Sequence, residues 1–147
     1  MIVTGETSLC RWAFGQGPVE RGDIDAFVAH IRGTVDRPGL VLVDILHNLT
    51  PAPAATDRRR IADAVNDVLV PCTAITGHAV VLNSAIALGA VTAMNWAVKT
   101  PFPEATFSSP ERALAWARSR SPALDESAVL AAWRAQIPGF AALQWKA

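Results

Sequence analysis

The chain has 147 residues, thirteen basic against thirteen acidic side chains and 51% hydrophobic residues, a size and composition that predict one compact core needing neither metal nor disulfide. Balanced charge supplies no broad field for nucleic acid or an anionic membrane, and charged residues interrupt every apolar stretch before the roughly 20 residues of a membrane helix. Cys10 and Cys72 are too few for a zinc site, and with no apolar leader ahead of Cys10 they point to a reducing, cytoplasmic setting.

Alanine, at 27 residues, and eleven arginines beside only two lysines favour helix throughout. Ser8 to Phe14 alternates as a strand does, with Cys10, Trp12 and Phe14 on one side, and Ile2 to Thr4 reads as a short hairpin arm before it. Asp23 stands where an N-cap belongs, ahead of Ile24, Phe27, Val28, Ile31 and Val35 at helical spacing. Leu40 to Leu46 is a continuous aliphatic run broken only by Asp44, which predicts a central strand covered by helices on both faces. Thr56 is read as the cap of a second helix with Ile61, Val65, Val68 and Leu69 on its apolar side. Thr73 to Thr76 is read as the next strand, followed by a long apolar helix from about Ser84 to Val98 and a last strand at Ala105 to Phe107. Ser109-Pro110-Glu111 has the order of N-cap, N1 proline and early acid for a further helix, and Asp125 opens another with Val129, Leu130, Trp133 and Ile137. The alternation of strand and helix predicts an α/β fold: a single, mainly parallel sheet of four to five strands with helices and an extra C-terminal helix.

The stretch Ala90-Val-Thr-Ala-Met-Asn-Trp-Ala97, followed by Pro101-Phe-Pro-Glu-Ala-Thr-Phe107 and the helix containing Ala113-Leu-Ala-Trp116, resembles the STAS and SpoIIAA-like superfamily of small bacterial proteins. The aliphatic strand carrying Asp44 is similar to that family's central strand. The resemblance spans roughly Ser8 to Arg118, so residues 1–121 are read as a STAS-like domain and 122–147 as a helical extension packed on it or at a dimer interface. It implies a non-enzymatic regulatory or interaction module in bacterial signalling, without cofactor, whose partner would be a regulator or kinase. In the family's anti-sigma-factor antagonists a serine opening the helix after the central strand is phosphorylated. Here the nearest hydroxyls are Thr56 and Thr50, in Thr50-Pro-Ala-Pro-Ala-Ala-Thr56-Asp57, where the family carries Asp-Ser-Ser-Gly.

Each candidate residue also has a plainer reading. Thr56 is a simple cap or a phosphate acceptor, whose phosphate would gain from the helix amides and the neighbouring arginines but face Asp57. Arg58, Arg59 and Arg60 form a solvated face, paired with Asp63 and Asp67, or a site for an anionic ligand or an acidic partner surface beside the carboxyl end of the central strand. Asp44 needs hydrogen-bond partners in so apolar a strand and is either an anchor for the following loop or a catalytic acid. His47 and His78 are placed just beyond strand ends, where they would share a ligand rim with Asp44. With Cys72 they lack any tight metal-ligand spacing, and neither a nucleophile elbow nor a dinucleotide fingerprint is present. Trp133, Phe140, Leu143 and Trp145 exceed what a small sheet is expected to bury and are read as core or as a homodimer interface. The second functional reading is an apolar small-molecule or lipid carrier, from the apolar helix at Ser84 to Val98 and the aromatic tail. An enzyme using Asp44, His47 and His78 is the outsider.

Overall fold

The structure, a computed structural model, describes residues 1–49, 51–83 and 99–145. Five strands form one sheet in sequential order: β1 (Ile2–Thr7), β2 (Cys10–Gln16), β3 (Val41–His47), β4 (Gly77–Leu82) and β5 (Glu104–Phe107). β1 runs antiparallel to β2 and the rest are parallel, so the hairpin arm expected at Ile2 to Thr4 is a full edge strand. β3 is the middle strand, as its largely aliphatic run predicts, and both its faces are covered.

One face carries α1 (Arg21–Arg32) and α2 (Ala55–Ala64), packed through Ile24, Ile31, Ile61 and Ala64 onto Leu40 and Leu42. The other carries α3 (Pro110–Arg120) and α4 (Glu126–Gln136), whose Leu114, Val129 and Trp133 join Trp12, Phe14, Val43, Ile45 and Val81 in a larger cluster. The segment after Ser121 is therefore part of the sheet's own core. Trp133 and Phe140, read as interface candidates, are buried within the chain, whereas Leu143 and Trp145 are partly exposed against the same cluster. A tight approach holds α3 in place: a Cβ on Gly77 would lie 2.8 Å from the Trp116 ring.

Several local expectations shift. Asp23 is the third residue of α1, not its cap. Its carboxylate accepts from the Glu20 N–H at 3.0 Å and the Ile2 N–H at 3.2 Å, tying β1 to the helix start. The cap of α2 is Ala54, so Thr56 lies inside the first turn, exposed and not capping it. Beyond Ala64 the helix widens into a π-turn over Val65–Leu69, closed by the Val70 N–H on the Val65 carbonyl at 3.0 Å. Thr73 to Thr76 is loop, not strand, and β4 begins at Gly77. That loop is held by Asp36, which accepts from the Thr73, Ala74 and Ile75 amides at 2.9, 2.9 and 3.1 Å. These bonds draw the Asp36 pKa down. At α3 and α4 the expected caps are present: Ser109 Oγ accepts from Arg112 N–H and Asp125 Oδ1 from Ala128 N–H. The apolar helix expected from Ser84 to Val98 lies outside the described residues. Among the described residues no helix is long and apolar enough to cross a membrane.

Candidate functional site

Because side chains alternate along a strand, Asp44 on β3, His78 on β4 and Arg11 on β2 all point to the α1–α2 face while Val43, Ala79 and Trp12 point to the other. Register then sets the pairings: His78 lies opposite Glu104 of β5 and one diagonal step from Asp44. The His78 imidazole consequently bridges two carboxylates, with Nε2 2.7 Å from Asp44 Oδ2 and Nδ1 2.8 Å from Glu104 Oε2. Their side chains are 17%, 27% and 24% exposed for His78, Asp44 and Glu104, so the trio is sunk into the molecule without being sealed.

Burial alone would push the His78 pKa down. The hydrogen bonds to Asp44 and Glu104, with the charges of the same two groups, outweigh it and raise the pKa to about 10. At neutral pH the ring is an imidazolium that donates both its protons, which leaves it no lone pair for a metal or for general-base catalysis. Among the described residues no cluster of three or more His, Cys, Asp or Glu side chains is arranged to hold a metal ion.

The trio forms one wall of a cleft of about 180 Å³ between the sheet and the α1–α2 layer. Ala13, Leu42, Val80, Ile24, Ile61 and Leu69 make most of the remaining lining apolar. The π-turn of α2 also contributes Val65, placing an irregular helical turn directly on the cleft, a position such turns frequently take at functional sites. Arg11 enters from β2 and donates from Nη2 to the His30 carbonyl at 2.6 Å, while its buried Nε has no partner among the described residues. His30, on α1, also lines the cleft; burial first, then the Arg11 charge, lowers its pKa to about 4, with Asp44 acting in the opposite sense. At neutral pH His30 is therefore neutral and His78 charged.

Of the residues singled out from sequence, Asp44 and His78 come together and His47 does not. His47, the last residue of β3, is buried on the opposite side, its Nδ1 3.2 Å from the Gln16 amide, its Nε2 3.1 Å from the Gln144 carbonyl and its ring against Trp145. Asp44 does not anchor the loop after β3; Asn48 and Asn83 do, with the Asn48 N–H on Asn83 Oδ1 at 2.8 Å. Cys72 is remote from this trio, its Sγ donating to the Val68 carbonyl. The three arginines diverge. Arg58 donates to the Pro53 carbonyl at 2.6 Å on the cleft lining, Arg60 reaches Asp25 of α1 at 2.6 Å, and Arg59 faces solvent. Arg60 thus joins two helices and does not pair with Asp63, while Asp67 is taken by Arg32. Thr50 lies outside the described residues.

Glu104, Arg11 and His30 were not anticipated. The sequence signal for the first two is a charged side chain inside a short strand, the same signal that marked Asp44. His30 carries none beyond its place on the apolar side of α1. No protein-family model, curated protein or solved structure matches the chain.

Proposed function

We propose that the protein is a non-enzymatic small-molecule-binding module whose ligand is mostly apolar and lies in the cleft between the sheet and the α1–α2 layer. The carrying observation is an apolar cleft with a built polar wall, in which Asp44 Oδ2 is committed to His78 while Asp44 Oδ1 has no hydrogen-bond partner among the described residues. An acceptor left open beside apolar surface is what a binding site presents to an orienting group on its ligand. The locked, doubly donating His78 supports binding over acid–base catalysis, because a group with no free lone pair and so high a pKa exchanges protons poorly near neutrality. In this reading the module is STAS-like and acts by passing ligand occupancy to a protein partner. α2 is the natural relay, since Ile61 and Arg58 face the cleft while Thr56 and Arg59 face solvent.

The test is amide NMR with a panel of small aromatic and aliphatic compounds. Saturable shifts at Ala13, Leu42 and Val80 are expected, and a ligand at a hundred times its Kd should stabilise the fold by about 2.7 kcal/mol. Ala13→Leu, which extends a side chain into the cleft, should abolish both effects. Shifts confined to the molecular surface, or unaltered in Ala13→Leu, would overturn the reading.

A further inference from the structure

Among the described residues that line the cleft, one cation is left without a carboxylate. His78 lies between Asp44 and Glu104, 2.7 and 2.8 Å from their oxygens. Arg11 holds Glu6 through Nη1 at 3.5 Å and the His30 carbonyl through Nη2 at 2.6 Å. Its Nε is unpartnered but buried, so a head group would reach it only by opening the fold. Arg58 makes no ion pair. Its one side-chain bond runs from Nη1 to the Pro53 carbonyl at 2.6 Å, which steadies the guanidinium and leaves the Nε–Nη2 edge without a partner among the described residues. The neighbouring acid, Asp57, turns instead to Arg60 at 3.9 Å. The helix gains nothing from this charge, because a cation at the end of the first turn of α2 opposes the macrodipole.

Topology sets Arg58 apart from the polar wall. Arg11 and His78 both pair with Leu42, toward the amino ends of the parallel strands. α2 starts beyond the carboxyl end of β3 and runs back over the sheet, with Ile61 and Ala64 packed on Leu40 and Leu42. Arg58, a turn before Ile61, therefore stands toward the carboxyl end, where Leu46, Leu49 and Pro53 also line the cleft. We propose that this end of the cleft binds a carboxylate, so that the ligand class is a small monocarboxylic acid with an apolar body. The two carboxylate oxygens accept from Arg58 Nε and Nη2, a planar fork that matches them bidentately. Arg58 is half-buried, and partial desolvation strengthens the pairing. Ala13, Leu46 and Val80 then flank the carbon body. Asp44 sets its direction, because Oδ1 repels a carboxylate and accepts only from a donor elsewhere on the ligand. Arg58 is in this account a specificity-determining residue for the site proposed above, and the inference rests on that reading.

The experiment measures binding of four probes with one carbon skeleton, hexanoate, hexanamide, 1-hexanol and hexylammonium, to the full chain by amide NMR titration at pH 7. Hexanoate is expected to bind at least about tenfold more tightly than hexanamide or hexanol, the gain appropriate to charge-assisted hydrogen bonds, and hexylammonium most weakly. Arg58→Gln should bring hexanoate to within about threefold of hexanamide. Arg58→Lys, which keeps the charge and loses the fork, should cut the preference at least about threefold, and it decides the matter if Arg58→Gln does not fold. Arg59→Gln, at the exposed neighbour, should leave the preference as it is. Equal binding of hexanoate, hexanamide and hexanol at the cleft leaves the ligand site standing and overturns the carboxylate inference. So does a preference for hexylammonium, a preference for hexanoate intact in the Arg58 variants, or one lost equally in Arg59→Gln. Absence of binding by all four at the cleft overturns both readings.

Discussion

His78 should make the stability of this protein fall with pH across a range where most proteins are flat. Its pKa stands at about 10 in the fold against 6.5 for an ordinary histidine. A group raised on folding stabilises fully below its unfolded value, and that stability is lost as pH climbs through the folded one. The window is therefore pH 6.5 to 10, and the ceiling on the loss is about 5 kcal/mol at about 1.4 kcal/mol per pH unit. Between pH 7 and 8.5 the unfolded ring has released its proton while the folded ring keeps it, so urea denaturation should show a decline approaching about 2 kcal/mol. Cys10 and Cys72, both raised by burial, destabilise in the same direction only as pH nears 9, above this interval. His78→Gln removes the titration and the cation that both Asp44 and Glu104 bind, so it should be less stable at pH 7 by about 3 to 5 kcal/mol and lose the wild-type slope. A direct reading comes from nitrogen NMR of the ring at pH 8.5, where both nitrogens should still be protonated. Parallel stability curves for the two proteins, or a singly protonated His78 at pH 8.5, would refute the assignment of an imidazolium held by two carboxylates.

The other expectations are simpler. On the acid side His30, neutral in the fold with a pKa of about 4, should cost stability as pH falls from about 6.5 towards 4, and urea melts of His30→Leu should be flatter there than wild type. Trp133→Ala empties the centre of the α3–α4 core and should destabilise by about 3 to 5 kcal/mol, measured in the same way. Gly77→Ala should cost about 1 to 3 kcal/mol through its clash with Trp116, and Trp116→Leu in the same chain should recover part of it, as thermal melts would show. Thr56→Ala, at an exposed position that caps nothing, should leave urea stability within about 0.5 kcal/mol of wild type; a loss above about 1 kcal/mol would return Thr56 to the role of cap.

How much of this was legible in the sequence depended on whether the signal was local. Leu40 to Leu46 announced a covered central strand because apolar residues on both faces leave no other economical placement. Ser109-Pro110 and Asp125 announced helix starts because a cap is made by residues three apart. β4 was displaced because Thr73-Ala-Ile-Thr76 carries β-branched residues after a proline, while Val80-Val81-Leu82 runs on toward further apolar residues with little to separate strand from helix. That four-residue shift moved His78 from the body of a strand to a loop and dissolved its pairing with Asp44 in advance. Asp44 itself was visible as a misfit. Its partner was not, because His78, itself held by Glu104 on the next strand, meets it only through the register of three neighbouring strands, which is a tertiary property. Thr56 failed for a subtler reason: Ala54 took the cap without any side-chain bond, so the strongest capping residue nearby was passed over.

The two faces of the sheet allow an internal comparison that bears on why the charges are there at all. The same three strands offer Trp12, Val43 and Ala79 to α3 and α4, and Arg11, Asp44 and His78 to α1 and α2. The first face is packed with apolar side chains, which shows that these strands need no buried ions to hold a helical layer. Ion pairs in such places are on average no more stabilising than aliphatic residues of equal volume, and losing one partner is severe. Stability therefore does not explain Arg11, Asp44 and His78. The polar face is also the one with the cleft, the π-turn at Val65–Leu69 and, among the described residues, the unpaired Asp44 Oδ1 and the buried, unpaired Arg11 Nε. Departures from the rules that shape the opposite face coincide in one place, and a place of that kind is where a fold gives up packing to keep chemistry available for another molecule.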